Sequence, residues 1–126
     1  MKTSQIARNF VIQEFACKDG TPVPAELMHN VRALAICLQV IRDVAAKPLV
    51  LNSAYRTVSH NMYVGGASRS YHLQAMAADI SCVSISPARM YAIILKLMDE
   101  GKIIQGGLKQ YPTFVHYDIR GVKTLF

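Results

Sequence analysis

The chain has 126 residues, enough for one domain with its own core, and at 52% hydrophobic and 17% charged it reads as globular, not disordered. A net charge of +6 and a pI near 9.4 suit an anionic partner such as nucleic acid, a membrane surface or the bacterial wall. No dense Lys/Arg run marks a nucleic-acid arm, aromatic residues are only 8% of the chain, and no apolar run approaches the ~20 residues of a membrane span.

The first ten residues lack an uninterrupted apolar stretch, so no Sec-type export signal is expected and synthesis in a cytoplasm is. A short apolar stretch follows from Phe10 to Phe15, then a turn at Asp19-Gly20. Three cysteines, an odd number without a C-x-x-C pair, argue against a disulfide framework or a thiolate zinc knuckle. Cys37 and Cys82 are expected to be small buried hydrophobes. Pro24 opens a predicted helix, with Leu27, Val31, Leu34, Leu38 and Ile41 at helical spacing as its buried stripe. It should end near Ala46, ahead of Pro48.

Residues 48–54 form a short apolar run flanked by breakers and read as a strand. A polar loop is expected over residues 56–70, and a second strand over residues 76–83. Ser86-Pro87 is a helix start, with Ser as cap and Pro at the first position. Met90, Ile93, Ile94 and Leu97 should face inward, and Gly101 should end the helix. Residues 103–108 and 113–120 read as two closing strands around a turn at Tyr111-Pro112. The predicted class is α+β: two main helices on a small, mainly antiparallel sheet, in a single domain over residues 1–126.

Side chains alternate faces along a strand. His116 and Asp118 therefore share one face of the last strand, and Asp79 can be presented beside them from the middle strand. His72 precedes that strand and can fold back, with Ala75, Ala77 and Ala78 leaving room. Two imidazoles and a carboxylate can hold zinc with one position open for water, the arrangement of catalytic zinc sites. By spacing alone, a hydrogen-bonded structural histidine and a turn or cap aspartate are the commoner explanations of these residues.

The order of motifs adds what spacing lacks. Ser70-Tyr71-His72-Leu73-Gln74-Ala75-Met76-Ala77-Ala78-Asp79 and Phe114-Val115-His116-Tyr117-Asp118 resemble the S-x-H-x-x-G-x-A-x-D and F-x-H-x-D patterns of the zinc D-Ala-D-Ala carboxypeptidase family. Its relatives include vancomycin-resistance D-Ala-D-Ala peptidases, phage L-alanyl-D-glutamate endopeptidases and the hedgehog signalling domain. The resemblance extends to Asn9-Phe10, Glu14-Phe15-Ala16-Cys17, Asn52-Ser53-Ala54-Tyr55-Arg56, Asn61, Gly65-Gly66-Ala67 and Gly106-Gly107. It implies His72, Asp79 and His116 as ligands of one zinc ion, with Arg56 holding a substrate carboxylate or carbonyl.

The implied activity is hydrolysis of amide bonds in peptidoglycan stem peptides, as a D-Ala-D-Ala carboxypeptidase or a cross-link endopeptidase. A phage-encoded, endolysin-like monomer acting on the wall after release, or carried in a virion, is the implied setting. No nucleic acid or membrane span is expected. Two positions depart from the pattern: Ala75 replaces a glycine, and Thr113 stands where many relatives place the catalytic acid. Asp118 is the remaining acid, either as general base or as the group that orients His116. The other reading is a catalytically inactive zinc- or murein-binding module of the same fold. Of the remaining candidates, His60 is expected in a solvated loop, His29 on a helix surface and Glu14 in a salt bridge, while Tyr71 and Tyr117 either line a groove or pack.

Overall fold

The two apolar stripes become two helices, Met28–Ala45 (α1) and Pro87–Asp99, and both pack on one sheet. We label the helices in order: α1, then the short α2 (Val58–Tyr63), then α3 (Pro87–Asp99). The computed structural model describes residues 4–126. The expected absence of an export signal rests partly on residues 1–3, which lie outside the described residues.

A small hairpin comes first, β1 (Gln5–Ala7) against β2 (Phe10–Val11), followed by 3-10 turns at Ile12–Phe15 and Ala25–Leu27. Pro24 caps the second turn, and α1 runs on from it. Ala46, in the left-handed conformation with φ of 57°, stops α1. The Ser86 hydroxyl accepts from the Arg89 N–H and caps α3, and Gly101 follows its end with φ of 69°.

The main sheet holds β3 (Val50–Ser53), β4 (Ala77–Ser81), β5 (Gly107–Gln110), β6 (Val115–Asp118) and β7 (Thr124–Leu125) in the order β3-β4-β6-β5-β7. All neighbours are antiparallel except β5 and β7. The class is α+β, as expected. One sheet face sends Ile80, Val115 and Tyr117 into a core shared with Leu34, Leu38 and Ile41 of α1 and Met90, Ile94 and Leu97 of α3. Burying each such side chain is worth ~1.5–3 kcal/mol, so the helices hold the sheet rigid. The opposite face, with Asp79 and His116 directly paired across β4 and β6, carries the polar residues.

Two expectations need correction, and one strand is added to them. The loop over residues 56–70 contains α2, whose Thr57 cap accepts from the His60 N–H. Its only buried residue is Asn61, so it carries no apolar stripe to read. The strand expected over residues 103–108 lies at Gly107–Gln110. Ile103 is buried outside it, and the Gly121 N–H takes the Gln105 carbonyl. The two-residue β7 was not expected and pairs in parallel with β5.

Candidate functional site

Asp79 sits at the centre of a cluster on the polar face of the sheet. Its Oδ1 lies 3.2 Å from His72 Nε2 and 3.1 Å from His116 Nδ1. One atom from each of the three residues can reach a common centre. His72 is delivered by the 3-10 turn Tyr71–Gln74, whose Ser70 hydroxyl accepts from the His72 N–H. That turn closes through Ala75, which adopts a positive φ of 57° although it carries a buried methyl group. A glycine would take this conformation without steric cost.

The outer nitrogens of both imidazoles are locked. His72 Nδ1 lies 2.7 Å from the Ala54 carbonyl oxygen, which only accepts, so Nδ1 carries hydrogen. His116 Nε2 lies 2.8 Å from Asp118 Oδ2, which accepts in the same way. In the neutral tautomers, His72 Nε2 and His116 Nδ1 are therefore bare lone pairs aimed at a carboxylate. Three acceptors facing one another need a cation between them. A proton on His116 can supply it, and His116 accordingly titrates higher than usual. Burial opposes its charge, but hydrogen bonds to Asp118 and Asp79 outweigh burial. A divalent ion supplies the cation equally well, because two imidazole nitrogens and one carboxylate oxygen are a zinc-type donor set. The residues fit the metal.

Arg56 closes the far side. Its Nη2 donates to Asp79 Oδ2 at 3.2 Å, its Nε to Ser53 Oγ and its Nη1 to Asn61 Oδ1. Burial pushes the Asp79 carboxyl up, but His116 and His72 hold it well below the usual carboxylate range.

Asp118 is fully enclosed. Its carboxylate accepts from His116 Nε2, the Gly107 N–H, and the backbone N–H, Nε and Nη2 of Arg120. Burial raises its pKa, and these donors, Arg120 first, hold it well below the usual range. Arg120 in turn lies over the Tyr71 ring at 4.5 Å and the Phe126 ring at 5.3 Å.

The cluster opens into a cleft of about 670 Å³. Arg56, Arg69, Lys109 and Arg120 line it, with Asp79 as the one lining side-chain carboxylate among the described residues. Thr113 lines a different cavity, beside Ile80 to Pro87 and Met90.

The structure brings His72, Asp79, His116, Asp118 and Arg56 together. Of the secondary candidates, Tyr71 lines the cleft, whereas Tyr117 is buried in the core with its hydroxyl donating to the Ile104 carbonyl. His29 is exposed on α1, as expected. Glu14 accepts from the Val11 N–H and forms no salt bridge among the described residues. His60 lies on α2, half-buried, and not in a solvated loop. Sequence reasoning gave no role to Arg120, although its place two residues after Asp118 on one strand face was a usable signal. Ser53 and the Ala54 carbonyl act through contacts that only the fold creates.

A family model described as Peptidase M15 matches residues 7–118. No curated protein sequence matches significantly. Among solved structures, the crystal structure of Serratia marcescens L-Ala D-Glu endopeptidase ChiX superposes with a TM-score of 0.51 at 20% sequence identity. That match covers 77% of this chain and 88% of that chain, and at this identity it is a likeness of fold.

Proposed function

Since the chain belongs to the peptidase M15 family, we propose that it is a zinc-dependent peptidase that hydrolyses amide bonds of peptidoglycan stem peptides. The observation that carries this reading is the convergence of His72 Nε2, His116 Nδ1 and Asp79 Oδ1, each outer imidazole nitrogen being locked as donor. These three residues would hold the ion. When bound, zinc supplies Lewis acidity toward an amide carbonyl and acidifies water near neutral pH.

The chain's own residues do the rest. Ala54 and Asp118 keep protons on the nitrogens that point away from the centre, which fixes both rings. Asp118, enclosed and saturated with donors, acts as the positioning group for His116. Arg56 braces Asp79 and uses three of its five N–H groups within the protein. Two remain for a substrate carbonyl or carboxylate at the cleft wall. Four cationic side chains against one carboxylate favour an anionic peptide, and stem peptides carry free carboxylates. Release to the wall from a phage-infected cell, or carriage in a virion, matches this basic, wall-directed chemistry.

One observation favours a second reading. Besides Asp79, no side-chain carboxylate of the described residues lines the cleft, and Thr113 lines a different cavity. A zinc- or murein-binding module without turnover fits that arrangement.

Digestion of purified sacculi and soluble muropeptides, followed by chromatography and mass spectrometry, separates the two readings. The peptidase reading expects new stem-peptide fragments that vanish with chelator and return with added zinc. Binding to sacculi with no cleavage of any stem-peptide bond would overturn it in favour of the module.

A further inference from the structure

A second group of metal-ligating side chains stands outside the cleft. Cys17, Asp19 and His60 each place one donor atom within 4.8 Å of the other two. They come from separate segments: the turn after the Ile12–Phe15 3-10 helix, and α2 some forty residues further on. Their positions are held by bonds that leave donor atoms available. The Cys17 N–H donates to the Thr21 carbonyl, and the Gly20 N–H to the Cys17 carbonyl, closing a tight turn. The Thr21 N–H and the Thr57 hydroxyl donate to the two Asp19 oxygens, at 2.9 and 2.8 Å. Thr57 also caps α2 by accepting from the His60 N–H, which aligns the first turn of that helix with Asp19. Cys17 is buried, its sulfur 3.9 Å from the Thr57 hydroxyl. Asp19 is exposed and His60 half-buried, so an ion has a path in from solvent. No hydrogen bond among the described residues engages the ring nitrogens of His60.

We infer that Cys17, Asp19 and His60 form a second divalent-metal site, selective for zinc-like ions. A thiolate and an imidazole favour zinc, cobalt or copper over calcium and magnesium. Three protein ligands leave a fourth tetrahedral position to water. Binding converts the Cys17 thiol to a thiolate and releases its proton to solvent. Closing to metal-bond lengths of ~2.0–2.3 Å requires each donor to move by about an ångström, and the exposed Asp19 and the half-buried His60 have that freedom. The ion would clamp the N-terminal segment to α2, the helix whose Asn61 holds Arg56 beside Asp79. The site is independent of the peptidase reading.

Cobalt(II) is the probe, because only a sulfur ligand adds a near-ultraviolet charge-transfer band. The His72, Asp79 and His116 set has no sulfur. Metal-stripped protein titrated with cobalt should bind two equivalents, one of them with the charge-transfer band. Cys17→Ala should abolish that band, and His60→Ala should weaken the band-forming equivalent at least tenfold. His116→Ala should leave the band in place and remove the other equivalent. No band at saturating cobalt, or a band that persists in Cys17→Ala, overturns the assignment. If Cys17→Ala does not fold, His60→Ala decides alone: unchanged affinity for the band-forming ion overturns the site.

Discussion

Asp118→Asn is the sharpest test of how the site is built. The wild-type carboxylate accepts from five N–H groups and is fully enclosed. An asparagine keeps one acceptor oxygen and gains two N–H donors. If its NH2 faces His116, then His116 Nε2 must accept, the ring proton moves to Nδ1, and the nitrogen that faces Asp79 is no longer a ligand. If the NH2 is turned the other way, it meets the Gly107 N–H and Arg120 Nε. Both orientations also strip Arg120 of its charged partner. Two charge-assisted hydrogen bonds at ~1.5–3 kcal/mol each give ~3–6 kcal/mol, and the range for removing one partner of a buried ion pair narrows this to ~3–5 kcal/mol. With unfolding entropy of about 2.1 cal/mol/K per residue, the melting temperature should drop by roughly 10–20 °C. Zinc affinity should fall ~10–100-fold, as for other groups that orient a metal-binding histidine. Urea unfolding of the metal-free proteins and chelator competition measure the two effects. Folded Asp118→Asn with wild-type zinc affinity would refute the tautomer argument. If affinity is intact but the acidic limb of the pH–rate profile disappears, Asp118 is the general base instead.

Zinc uptake should release protons wherever His116 is still protonated, a range that its raised pKa extends upward; calorimetry in buffers of different ionisation enthalpy reads the number across pH, and zero throughout would contradict a proton held where the ion would sit. The same shift sets a pH dependence for the metal-free protein. A folded pKa above the unfolded value of ~6.5 means the stabilisation from His116 is full below that pH and is lost as pH rises through the folded value. Asp79 and Asp118 act at the other end: their depressed pKa values give stability that is present above ~pH 4 and lost in stronger acid. Denaturant midpoints across pH 3–9 should thus show a maximum between these limits, as estimated from reference pKa values, and a flat profile would refute both shifts. Ala46→Gly and Ala75→Gly separate backbone strain from burial, since both alanines have φ of 57° but only Ala75 is buried. Relief of ~1–2 kcal/mol of left-handed strain less ~0.4–1 kcal/mol of added chain entropy should stabilise Ala46→Gly by about 0.5–1 kcal/mol. Loss of a buried methyl, about 0.8 kcal/mol, should leave Ala75→Gly near neutral; equal gains at both sites would refute this division. Gly106→Ala should abolish folding by circular dichroism, because a Cβ there would stand 1.5 Å from the Asp118 carbonyl oxygen.

What the sequence made legible follows from range. The α1 and α3 stripes repeat within one turn and end at proline or a left-handed residue, so both helices could be read locally. The pairing of Asp79 with His116 was also within reach, because period-two alternation puts each on a face and only one register buries the apolar set. Helix α2 was not, since its cap at Thr57 is a single threonine and its exposed Val58, Met62 and Tyr63 mimic a loop. The strand β5 was displaced because two glycines at 106 and 107 give no side-chain pattern. They are small for a reason visible only in space: Asp118 lies against their α-carbons.

The same distinction explains the site. Ligand types can be listed from a chain, but which nitrogen of each imidazole is free is decided by an oxygen that is not itself a ligand. For His116 that oxygen is two residues away on the same strand face, so the H-x-D spacing already contained the answer. For His72 it is the carbonyl of Ala54, eighteen residues upstream at the end of β3. A backbone carbonyl has no sequence signature, and any residue at position 54 would present one. What sequence does constrain there is size: the methyl of Ala54 is buried in the core. A larger side chain would push β3 away from the Tyr71–Gln74 turn and lengthen the 2.7 Å contact that keeps His72 Nε2 bare. Metal affinity in this fold thus depends on core packing at a position with no ligand chemistry of its own.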